Sequence, residues 1–172
     1  RTGRPPASLR LVREEGGKPR LADAPGLTFS LSHSDGHAAL AIASGWPVGI
    51  DLEAIRPIDE GTMLRALSRA EGDRLLAMPP AARQDVFFAF WTRKEAVAKA
   101  TGQGFGIEPA AIETGPGPAA ARVEVPGQGA WRVVSLTADA GLAPPAGFAM
   151  AVAVPDGAGA PAFAPIPGPG EP

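Results

Sequence analysis

"VGIDLE", residues 48–53, is a short apolar run in which two of the six side chains are acids. Read as a strand, it points Asp51 and Glu53 to the same face, because side chains two apart share a side of a pleated ribbon. At about 3.3 Å per residue the two carboxylates stand roughly 6.6 Å apart. At an effective dielectric near 20 they repel by about 2.5 kcal/mol. Water screens such a pair on an exposed edge. The apolar neighbours Val48, Ile50 and Leu52 argue for burial, so a compensating partner is expected. A hard divalent cation is a natural one, since Mg²⁺ favours a few carboxylates together with phosphate oxygens and water.

The second half of the pattern lies about forty residues on. "AARQDVFFAFWTRKEAVAKATGQG" (81–104) has the helical period, with Phe87, Phe90, Trp91, Lys94, Glu95 and Ala98 recurring at three- and four-residue steps. Glu95 falls one turn after Trp91 and one turn before Lys99, and Gly102 is a candidate C-cap. An acid on the core-facing side needs a cation or a paired base. A plain Glu95–Lys99 surface pair, worth about 0.3–0.5 kcal/mol, is the modest alternative. If the helix packs on the strand, Glu95 joins Asp51 and Glu53.

Around these two elements the chain reads as alternating short strands and helices. "ASLRLVREEGGKPRL" (7–21) suggests strand, turn, strand, and "LTFSLSHSDGHAALAIAS" (27–44) suggests a hairpin turning at Asp35-Gly36. Residues 60–78 turn helical, with "SRAE" (68–71) a capping box and "MPP" a stop. "ARVEV" (121–125), "WRVVSLT" (131–137) and "GFAMAVAV" (147–154) read as later strands. Beyond them lies a Pro/Gly/Ala-rich stretch, 156–172, that cannot build a core.

The 172 residues suit one domain or two small halves sharing a core, and a net charge of −2 gives no global reason to expect nucleic acid or an anionic membrane. The absence of Cys excludes disulfides, thiolate metal sites and cysteine nucleophiles. No apolar run approaches the roughly 18 residues of a membrane span, and a cytoplasmic location is expected.

Together, "VGIDLE", "FWTRKEAVAKATGQGF", "GGKPRL" and "FSLSHS" resemble the motifs of the 4'-phosphopantetheinyl transferases, over roughly residues 15–155. The upstream pair resembles those of the larger, surfactin-synthetase-activating (Sfp) type. The resemblance implies an α+β fold of two pseudo-twofold halves, each a small antiparallel sheet with a long helix. Residues 1–46 are expected to be the remnant of an incomplete N-terminal half and residues 47–155 the C-terminal half. Apolar surface within 27–43 is then expected to lack its usual cover.

The implied activity is Mg²⁺-dependent transfer of the phosphopantetheine arm of coenzyme A to a serine of an acyl or peptidyl carrier protein, releasing adenosine 3',5'-bisphosphate. Asp51, Glu53 and Glu95 are implied to hold the metal, with Glu95 or a nearby water taking the serine proton and Lys99 steadying the pyrophosphate. Lys18, Ser32 and His33 match positions that contact coenzyme A. A monomer is expected, with Arg65, Arg69 and Arg74 facing an acidic carrier, Arg93 and Lys94 solvent-facing, and Phe90 and Trp91 in the core. The competing readings are another Mg²⁺-dependent phosphate-ester hydrolase and a non-catalytic carrier-binding module.

Overall fold

The computed structural model describes residues 3–13, 17–115, 117, 119–138 and 142–159. Among the described residues eight strands and three α-helices follow one another: β1 (Leu11–Arg13), β2 (Pro19–Leu21), β3 (Leu27–Ser34), β4 (His37–Ser44), β5 (Gly49–Ala54), α1 (Glu60–Ala66), α2 (Arg69–Ala77), α3 (Arg83–Thr101), β6 (Ala121–Val125), β7 (Gly129–Ser135) and β8 (Phe148–Pro155). Strands β5–β8–β7–β6 form an antiparallel sheet in that order, while β1–β2 and β3–β4 are separate antiparallel pairs.

Local chemistry accounts for most boundaries. Asp35 and Gly36 both have positive φ, 43° and 75°, so the two-residue link between Ser34 and His37 twists in the sense of the flanking strands. Ser68 and Glu71 cap α2 reciprocally. Gly102 ends α3 in the left-handed region.

Alternation along β5 sorts its side chains. Ile50 and Leu52 join Met150, Val152 and Val154 on one face, covered by Ala39, Ala41 and Ala43 of β4. On the other face α3 lays Ala96, Val97 and Ala100 against Val123, Val133, Ala151 and Ala153. Gly49, Asp51 and Glu53 share that helix-facing side, by the two-residue period. Gly49 is what lets the helix come so close: a Cβ there would lie 2.0 Å from the Ala96 carbonyl oxygen. A third cluster joins Met63, Leu67 and Leu75 to Phe87, Phe88 and Phe90.

Two expectations change. Arg93 and Lys94 are not solvent-facing; each is 1% exposed. Backbone carbonyls hold them instead, those of Pro109 and Ile112 at the Lys94 ammonium and those of Thr114, Gly117 and Ala119 at the Arg93 guanidinium. Lys94 also pairs with Glu71 at 2.6 Å, and Glu71 accepts from the Thr114 amide and hydroxyl. Burial raises the Glu71 carboxyl, but the bonds from Lys94 and Thr114 outweigh it and hold the pKa below the usual carboxylate range. Burial pushes Arg93 down to about 10, so it keeps its charge at neutral pH.

The second change concerns the start of the tail. Asp156 bonds Arg122 at 2.8 Å and Ala158 is buried, so residues 156–158 still belong to the sheet's border. Residues 160–172 lie outside the described residues.

Candidate functional site

The backbone of β5 has one edge paired with β8, in the register Asp51↔Ala151. The opposite edge presents the amides of Ile50, Leu52 and Ala54, which need acceptors. They find them in the alternate serines of β3. Ser30, Ser32 and Ser34 accept from Ile50, Leu52 and Ala54 at 3.1, 3.1 and 3.0 Å. The offset is twenty residues each time, so β3 runs alongside β5 in the same direction, joined by side-chain hydroxyls where a sheet would use carbonyls.

Two of these hydroxyls in turn donate a hydrogen bond to an acid. Ser32 donates to Asp51 Oδ1 at 2.9 Å, and Ser34 donates to Glu53 Oε2 at 3.0 Å. Each acid also has its own cation. The Lys99 ammonium lies 2.6 Å from Asp51 Oδ1 and 2.9 Å from Ser32 Oγ, while Arg56 lies 3.3 Å from Glu53 Oε2. Within the free chain, therefore, the two strand acids are compensated separately.

Asp51 is 2% exposed. Burial pushes its carboxyl up, against the opposing pull of Lys99 and Ser32. Its second oxygen, Oδ2, is buried without a hydrogen-bond donor. An unpartnered carboxylate oxygen in such a place is costly unless a cation or donor reaches it. Glu95, on the α3 flank next to the strand, is half-buried; burial and then the charge of Asp51 raise its pKa, with Glu53 adding to the shift. α3 thus brings a third acid into the field of the first two.

The helix thus packs on the strand, and Asp51, Glu53, Glu95 and Lys99 form one electrostatic cluster. Lys99 bonds Asp51 directly rather than forming the modest surface pair with Glu95. Among the described residues no three carboxylates or imidazoles converge tightly enough to make a ready cation cage. What the cluster offers is the orphaned Oδ2 of Asp51 and a neighbouring Glu95, with more acids than nearby bases. That donor set fits a hard cation which takes its remaining ligands from water and a phosphate-bearing substrate.

The residues expected to contact coenzyme A are dispersed. Ser32 sits inside the cluster. His33, alternating with the serines, is exposed on the opposite face of the hairpin. Lys18 is half-buried and donates to the carbonyls of Val48 and Ala100 at 3.0 and 3.1 Å, tying β2's approach to the start of β5 and the end of α3. His37 is exposed and stacks obliquely on Phe148, with ring centroids 4.6 Å apart. Phe90 is buried, and Trp91 stacks on Phe87. Ser30 and Ser34 are not among the expected site residues, although the Ser-x-Ser-x-Ser alternation of "SLSHS" (30–34) marks them. An apolar cavity of about 730 Å³ lies between α2, the first half of α3 and the start of β8, lined by Ile55, Val86, Phe90, Leu136 and Met150; the acid cluster is outside it.

Comparison with known proteins bears on this arrangement. A family model described as "4'-phosphopantetheinyl transferase superfamily" matches residues 47–153, which hold β5, α3 and their acids. The chain is 36% identical over 127 residues to the 4'-phosphopantetheinyl transferase HetI of Nostoc sp., covering 64% of this chain and 54% of that one. It is 41% identical over 91 residues to psf-1 of Bacillus pumilus, covering 53% and 39% of the two chains. It is 33% identical over 101 residues to Sfp of Bacillus subtilis, covering 59% and 45%. The chain thus spans about half the length of the curated relatives it matches. With the family model matching well over half of its residues, the chain belongs to the 4'-phosphopantetheinyl transferase superfamily, and its likeness to Sfp and psf-1 supports the Sfp type.

Proposed function

We propose that the protein transfers the 4'-phosphopantetheine arm of coenzyme A to a serine of an acyl or peptidyl carrier protein. The observation that carries this reading is the acid–base contact joining β5 to α3: Lys99 Nζ lies 2.6 Å from Asp51 Oδ1, while the second oxygen of Asp51 is buried without a donor. Asp51, Glu53 and Glu95 would hold Mg²⁺. When bound, that ion supplies positive charge against the pyrophosphate oxygens.

The chain's own residues divide the remaining work. Glu95, half-buried on the α3 flank beside the strand, or a water near it, is suited to take the serine proton. Lys99 is a mobile point charge, one third exposed, that can move from Asp51 towards a phosphate. Ser32 holds both Asp51 and Lys99 and so keeps base and acid in register. Lys18 and His33 remain candidates for the coenzyme's own phosphates, and residues 1–46 for a partial N-terminal half. Exposed Arg65 on α1 and Arg69 on α2, with Arg74 of α2 paired to Glu113 at 3.3 Å, offer basic groups to an acidic carrier.

The test is to incubate the protein with coenzyme A, Mg²⁺ and an apo carrier protein and to weigh the carrier by mass spectrometry. A gain equal to one phosphopantetheine supports the reading. An unchanged carrier overturns it, and phosphate release without a carrier points to ester hydrolysis instead.

A further inference from the structure

The serine comb of β3 is regular in its bonds to β5 but uneven in what it reaches. Ser30 has Gly49 at the position where the other two have acids, so it only closes the strand edge. Ser32 touches Asp51, Leu52 and Lys99. Ser34 bonds the Ala54 amide and Glu53, and nothing in the mechanism above assigns it a part.

A serine hydroxyl has one proton to give and two lone pairs. Because Ser34 Oγ accepts from the Ala54 amide at 3.0 Å, its proton is directed away from that bond, towards Glu53 Oε2 at 3.0 Å. The amide thus fixes the hydroxyl, and the hydroxyl fixes the carboxylate. Arg56, the other group facing Glu53, is largely exposed and reaches it at 3.3 Å from three residues along the chain. A solvent-exposed side chain of that length is a loose tether, whereas the Ser34 bond crosses between two strands.

We propose that Ser34 is a positioning residue: it holds Glu53 beside Asp51 so that the second strand acid is pre-aimed at the cation. The inference rests on the cation site proposed above. Groups that orient metal ligands in this way change metal affinity by about 10- to 100-fold when removed. A merely structural role, through the Ala54 amide, would lower stability without that change.

The experiment measures Mn²⁺ bound by the full chain in the presence of coenzyme A, by loss of the free-ion electron paramagnetic resonance signal beyond that caused by coenzyme A alone. Wild type, Ser34→Ala, Ser34→Thr, Glu53→Gln and the double variant Ser34→Ala/Glu53→Gln are compared. Ser34→Ala should weaken Mn²⁺ binding about tenfold or more. Ser34→Thr, which keeps the hydroxyl, should restore it, and Ser34→Ala should add nothing once Glu53 is Gln. In the transfer assay the same weakening should appear as a higher half-saturating Mg²⁺ concentration, with kcat at saturating metal little changed. Unaltered Mn²⁺ affinity in Ser34→Ala, or a full additional loss in the Glu53→Gln background, overturns the role of Ser34 while leaving the cation site standing. Failure of the wild type to bind Mn²⁺ overturns the cation site, and this proposal with it.

Discussion

Gly49 fixes the distance between the acid strand and the helix that faces it, and Gly49→Ala tests whether that distance matters. An added Cβ would lie 2.0 Å from the carbonyl oxygen of Ala96, 2.5 Å from the amide nitrogen of Ala100 and 2.9 Å from its Cβ. Comfortable carbon–oxygen separation is about 3.3 Å, so α3 must retreat by roughly 1.3 Å. The obstructing atoms are backbone, and no side-chain rotation relieves them. Overpacking of this kind costs typically 1–3 kcal/mol, and a backbone clash belongs at the upper end, about 3 kcal/mol. For a chain of this size each kcal/mol moves Tm by about 2–4 °C, giving a fall of roughly 6–12 °C. The same retreat stretches the 2.6 Å Lys99–Asp51 contact beyond hydrogen-bond range and moves Glu95 away from the strand. Circular-dichroism melting and the carrier transfer assay should therefore lose together. Gly72→Ala is the control, since its Cβ meets only the flexible end of Leu64 at 3.2 Å and helix propensity favours Ala there. A Gly49→Ala protein melting within about 2 °C of wild type and still active would refute the reasoning.

Other expectations follow from the buried charges. Glu71→Gln leaves the Lys94 ammonium buried without its carboxylate; breaking such a pair costs about 3–5 kcal/mol, and Glu71→Gln/Lys94→Met should recover much of it in urea unfolding. For Glu95 the sign follows from its raised pKa. As pH climbs past the ordinary glutamate value of 4.5, the unfolded chain releases this proton before the folded one, so stability contributed by the protonated form is lost through that window and stays lost above it. Metal-free Glu95→Gln should accordingly melt above wild type at pH 7 and match it more closely at pH 4; a variant that melts lower at pH 7 would contradict the burial of a repelled acid. Lys99→Met removes the cation from buried Asp51, so the metal-free protein should lose stability more steeply with rising pH than wild type does, as followed by Tm across pH 4–8.

Much of this is legible in the sequence. The Asp35-Gly36 turn, the Ser68–Glu71 capping box and the Gly102 cap are local devices whose chemistry is complete within a few residues, and each appears where its spacing put it. The grouping of Asp51 with Glu95 was readable because a strand of period two and a helix of period 3.6 each leave an acid on a face that otherwise packs. What stayed hidden depends on distant segments. Lys94 and Arg93 read as solvent-facing because the carbonyls that hold them, those of Pro109, Ile112, Thr114, Gly117 and Ala119, lie fifteen or more residues away with no local sign of that contact. Glu71 announced itself only as a cap, yet its second oxygen reaches Thr114. The serine alternation in β3 was visible, but its meaning needs a parallel strand twenty residues on.

The most direct test of the central claim is the mass of an apo carrier protein after incubation with coenzyme A and either wild type or Asp51→Asn, with Mg²⁺ present or chelated. The acid cluster predicts a phosphopantetheine gain for wild type with Mg²⁺, none on chelation and none for Asp51→Asn, although that variant should melt no lower than wild type in the absence of metal. A carrier modified equally well by Asp51→Asn, or without Mg²⁺, would contradict it.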